Sequence, residues 1–133
     1  MNVDKVVRYW ADSATEDWPV TQHLLDSGAY QYALFFAHLY LEKLLKALVV
    51  RHTNEHAPRT HNLLFLAERA HLSLTAEQHD VLLRVTAYNI STRYPDDAAK
   101  SKSRYTLEFT VNELNIVEET GKWLKSLLNQ EKP

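Results

Sequence analysis

Cysteine is absent from this chain of 133 residues. That excludes a disulfide framework, a thiol nucleophile and a cysteine-ligated metal site, and it fits a reducing compartment. Glycine occurs twice and proline four times, too few to supply the many turns of a sandwich or barrel. No apolar run approaches the roughly 20 residues that span a bilayer, and the N-terminus lacks the apolar core of a signal peptide. A cytoplasmic protein with no membrane association is expected. The formal net charge is −2 and the pI near 6.4, so overall charge does not favour free nucleic acid and no DNA binding is expected.

What is present is apolar sequence in helical register. At 45% hydrophobic the chain fits one compact domain, residues 1–133, able to bury a core unaided. The first helix is expected from about Val3 to Asp26, on the spacing of Val6, Val7, Trp10, Ala14 and Trp18. Pro19 removes one hydrogen bond inside it. A kink there is expected in preference to a fresh start capped by Asp17. Gly28 suits a left-handed helix end.

The second helix, about Tyr30 to His52, carries Ala33, Leu34, Ala37, Leu41, Leu44, Leu45 and Leu48, widened by Phe35, Phe36, Leu39 and Tyr40. Such breadth needs cover on more than one side, and a second subunit is expected to contribute some of it. Thr60 reads as the cap of a short helix from His61 to Ala70, and Thr75 starts another that ends before Pro95. Pro95 to Ser103 reads as a loop. The last helix runs from about Thr106 to Asn129. The fold class is therefore all-α, an antiparallel up-and-down bundle of four to five helices.

Several polar groups interrupt this pattern. Glu42 and Lys46 stand four apart, the order that stabilises an isolated helix through a solvated ion pair; Lys43 lies beside them. His61, at the start of a helix, can hydrogen-bond a neighbouring carboxylate or backbone group and hold the turn. Arg93 offers a planar fork suited to phosphate or carboxylate where a helix gives way to a loop. It has two readings: phosphate binding, or pairing with a buried carboxylate such as Glu42 while Pro95 sets the turn and Asp96 caps it. Arg51 and His56 are separated by four residues, a short pattern that seven histidines produce by chance. His52 and His56 have no third ligand beside them, and neither a metal nor another cofactor is expected. Lys100, Lys102 and Arg104 are opposed by Asp96, Asp97 and Glu108, as in a mixed solvated loop.

In order along the chain, Glu42-Lys43-Leu44-Leu45-Lys46-Ala47, Pro58-Arg59-Thr60-His61-Asn62-Leu63 and Arg93-Tyr94-Pro95-Asp96 resemble the segments of a HEPN domain, from about Tyr9 to Trp123. HEPN domains are small helical modules of prokaryotic toxin–antitoxin operons, often paired with a minimal nucleotidyltransferase. The resemblance implies a homodimer in which Glu42, Tyr94, Pro95 and Asp96 line a groove and Arg93, Lys43 and Lys46 meet a nucleotide or phosphate. It implies a regulatory or nucleotide-binding partner of such a nucleotidyltransferase. HEPN ribonucleases carry a late Arg followed four to six residues on by His. Here Arg93 is followed by Tyr, Pro, Asp, Asp, Ala, Ala and Lys, and no histidine follows His79. A ribonuclease toxin acting on RNA would need Arg93 together with a histidine from elsewhere, such as His61; a structural dimerisation module is the third reading. Tyr94 and Tyr105 are the candidates for adenylylation by such a partner.

Overall fold

The computed structural model describes residues 1–93 and 104–130, and the side chains of 1–90 and 104–130. Among the described residues it forms five helices: α1 (Val3–Asp26), α2 (Tyr30–Thr53), α3 (Leu63–Arg69), α4 (Ala76–Arg93) and α5 (Leu107–Leu128). The expected loop 95–103, and with it Tyr94, Pro95, Asp96, Lys100 and Lys102, lies outside the described residues.

Local chemistry sets the boundaries. Asn2 caps α1 by accepting from the Lys5 amide. At its other end Ala29 N–H bonds Leu24 C=O (2.9 Å) and Gly28 N–H bonds Leu25 C=O (3.0 Å). Gly28 sits at φ +81°, a Schellman ending that a Cβ would strain. α1 passes through Pro19 as one helix, so there is no restart at Asp17. Pro19 is exposed, which leaves the Thr15 carbonyl, deprived of its amide donor, on the watered side. Thr75 and Gln78 form a reciprocal capping box at the start of α4. The cap of α3 is Asn62, not Thr60: Asn62 accepts from Phe65 N–H, while Thr60 Oγ1 is used one step earlier on the Asn62 amide. The amide side chain of Asn62 reaches the first turn once the Thr60 hydroxyl is spent on the approach to it.

α2 is the central rod. Leu34, Leu41, Leu44 and Leu45 are fully buried, each worth about 1.5–3 kcal/mol of transfer free energy. Their cover comes from the same chain, α1 on one side and α3, α4 and α5 on the others. Phe35, Phe36 and Leu39, which widen that apolar face, stay only half-buried within the single chain. α1 and α4 run antiparallel to α2, while α5 runs parallel to it. Tyr40 meets Gly121, where an added Cβ would strike the phenol ring. Further along α2, Arg51 donates to the carbonyls of Leu127 (2.8 Å) and Leu128 (2.6 Å) and to that of Gln130. No described helix is long and apolar enough to cross a membrane.

Candidate functional site

Glu42 is the polar centre of α2. Its side chain is only 5% exposed, a placement that is costly for a carboxylate unless it is paired and hydrogen-bonded. Both oxygens are engaged. Lys46, one turn later, donates to Oε2 (3.1 Å). His61 donates from Nδ1 to Oε1 (2.7 Å). His38, one turn earlier, brings Nε2 to 3.6 Å from the same oxygen and donates to the His61 carbonyl at 2.9 Å. The helix supplies three of these groups on one face by four-residue spacing. The connection after α2 returns His61 over that face.

The Lys46 ammonium also lies 5.2 Å from the centroid of the Trp10 ring, a cation–π contact to α1. Lys43 points elsewhere, to Asp17 of α1 at 2.7 Å. Each lysine proposed for phosphate thus faces a carboxylate of the same chain. His61 differs from its partners in being 46% exposed. Glu42 holds the ring through Nδ1. That arrangement can orient an imidazole at a surface. Arg93 is the last residue of α4; its side chain, its pairing with Glu42 and its distance from His61 lie outside the described residues.

A second buried carboxylate, Glu113 of α5, was not marked by the sequence. Arg84 grips it from α4 with two bonds, Nε to Oε1 (2.6 Å) and Nη2 to Oε2 (3.1 Å). Tyr88 donates its phenol to Glu113 as well, and Tyr105 packs edge-on against Tyr88 with centroids 5.6 Å apart. Burial, then the bond to Glu113, pushes the Tyr88 phenol well above the ordinary tyrosine range. The Glu113 bond raises Arg84 too.

His38, Arg84 and Glu113 went unnoticed in the sequence. A signal existed for His38: His38, Glu42 and Lys46 recur every four residues in a helix otherwise largely apolar. Arg51 is occupied with the end of α5, which gives it a structural task in place of the chance Arg51–His56 pattern. His52 lies against His71 with tilted rings, centroids 4.4 Å apart. Among the described residues no group of three or more His, Asp or Glu side chains could hold a metal ion.

A bundle built round one apolar rod, with a buried carboxylate holding a lysine and a surface histidine, defines a small helical module. The chain belongs to the HEPN domain family, whose model matches residues 7–127. Among solved structures it is similar to the crystal structure of TT1696 from Thermus thermophilus, with a TM-score of 0.74 and 23% identity over 90% of this chain and 96% of that one. At that identity the likeness speaks for the fold alone. No curated protein matches the chain.

Proposed function

We propose that this chain is a docking and regulatory HEPN module, a cytoplasmic homodimer that partners a minimal nucleotidyltransferase in a toxin–antitoxin-type pair. The observation that carries the reading is the pairing of Lys43 with Asp17 and of Lys46 and His61 with Glu42. A phosphate must displace these carboxylates before it reaches either lysine, whereas a protein partner need not. Any nucleotide binding then falls to Arg93 at the end of α4.

The dimer is supported by α4. Its outermost line carries Leu83, 56% exposed, Ala87 and Ile90, 46% exposed. The spacing of four and three places them in one stripe, and two such stripes can pair about a two-fold axis with Ala87 at the close approach. Leu83→Glu should convert a dimer to a monomer by light scattering, with stability changed by no more than about 0.5 kcal/mol for a surface site. A monomeric wild type removes the dimer from the proposal.

The test of the partnership is co-expression with a small nucleotidyltransferase encoded beside this chain: a complex that survives gel filtration is expected. Repeated failure to co-purify overturns it. A second reading, a metal-independent ribonuclease using Arg93 and His61, draws on the half-exposed imidazole held at 2.7 Å by Glu42. It requires RNA cleavage that both Arg93→Ala and His61→Ala abolish; equal background in all three proteins ends it. A purely structural dimerisation module requires that Arg93→Ala be tolerated in every functional test.

A further inference from the structure

Between the first two turns of α4 and the middle of α5 lies an open groove of about 540 Å³. Val81, Ile116 and Trp123 line it with apolar surface, while Glu77 and Glu119 stand among its rim residues. Ile116 is 38% exposed, and Trp123 is half-buried against the core. This is the composition of a docking site: an aromatic anchor and an aliphatic floor that exclude water, with polar groups round the edge. None of the residues of the Glu42 site, which come from α2 and the connection before α3, lines the groove.

The rim selects the occupant by charge. Glu77 and Glu119 are both acidic. Lys122 pairs with Glu119 at 3.2 Å, on side chains both largely exposed. Glu119 and then Glu118 draw that ammonium upward from its usual range. An incoming arginine or lysine would compete for Glu119 with a solvated and therefore weak partner. An anionic ligand meets repulsion on the same rim.

We infer that the α4–α5 groove receives a short cationic amphipathic segment of a partner protein, one or two apolar side chains seated on Ile116 and Trp123 and flanking lysines or arginines set against Glu77 and Glu119. The inference rests on the reading of this chain as a docking module but not on which partner it serves.

The experiment is a selection of displayed random peptides on the full chain, followed by titration of the enriched peptides into isotopically labelled protein. Enriched peptides should carry an apolar residue flanked by Lys or Arg and should shift amides of residues 75–81 and 115–123. Ile116→Glu should weaken them by about tenfold or more, as loss of an interface anchor does. Glu119→Lys leaves the floor intact and should weaken them several-fold, an effect that shrinks with added salt. The inference is overturned if no peptide enriches, if the consensus is acidic or uncharged, or if the shifts fall elsewhere. Equal binding by the wild type and a folded variant also overturns it. The two proposals separate cleanly. A nucleotidyltransferase complex together with a failed peptide selection removes the groove and leaves the partnership; basic peptides in the groove without any such complex do the reverse.

Discussion

The two buried carboxylates of this molecule are held in contrasting ways. Glu113 joins α4 to α5 through the two-bond grip of Arg84 and the phenol of Tyr88. Glu42 gathers Lys46 from its own helix and His61 from the next connection. The first is a clamp between long helices, made with a guanidinium whose fork fits a carboxylate and whose charge is permanent. The second reaches the surface through a half-exposed imidazole. Similar burial thus serves different ends: Glu113 holds the scaffold, and Glu42 positions a side chain that a ligand or partner can meet.

Removing the clamp tests this contrast most strongly. Glu113→Ala should lower the free energy of unfolding by about 3 kcal/mol, the low end for breaking a buried pair because Arg84 can rehydrate, as read from urea unfolding. A loss below about 0.5 kcal/mol, typical of an exposed ion pair, would break the distinction. Glu42→Gln keeps the shape but not the charge. Lys46 and His61 lie nearer water than the Tyr88 phenol, so a smaller cost of about 1–2 kcal/mol is expected.

Alkaline pH should sharpen the difference, because Tyr88 belongs to the clamp. Its phenol is raised in the folded state, so the native protein binds that proton more tightly than the unfolded chain. The stability it contributes is fully present below about pH 10, the ordinary tyrosine value, and declines as pH rises above it, at up to about 1.4 kcal/mol per unit. Tyr88→Phe should remove that decline while costing about 1 kcal/mol at neutral pH. Unfolding at about pH 8 and about pH 10.5, on either side of the ordinary tyrosine value, checks both. An unchanged alkaline slope would contradict the assignment. The smallest effect belongs to His61→Ala, at about 1 kcal/mol or less for a partly exposed hydrogen bond, with circular dichroism unchanged.

Much of the architecture is written in local chemistry. Gly28, the Thr75–Gln78 box and the apolar period of α2 each specify a boundary or a face by the residues themselves. Thr60 misled because two neighbouring residues, Thr60 and Asn62, both cap well and only the path of the chain decides between them. The breadth of α2 suggested a second subunit; four helices of its own chain bury its leucines while Phe35, Phe36 and Leu39 stay half-buried, and periodicity within one helix does not reveal how many neighbours it will have. Glu113 looked like any charge on a long helix. Its burial depends on the rotation of α5 against α4, which no single-helix pattern contains. Gly121 is legible only beside Tyr40. For the candidate site, the resemblance marked Glu42, Lys46 and His61 as residues of interest, yet their meeting in one network with His38 is a tertiary fact.

The proposed role of this HEPN chain is to dock a nucleotidyltransferase rather than to cut RNA. Co-expressing the two and passing the purified protein through gel filtration with light scattering tests that role most directly. One peak containing both chains at fixed stoichiometry is expected. The chain eluting alone in repeated trials, together with RNA cleavage lost in His61→Ala, would contradict it.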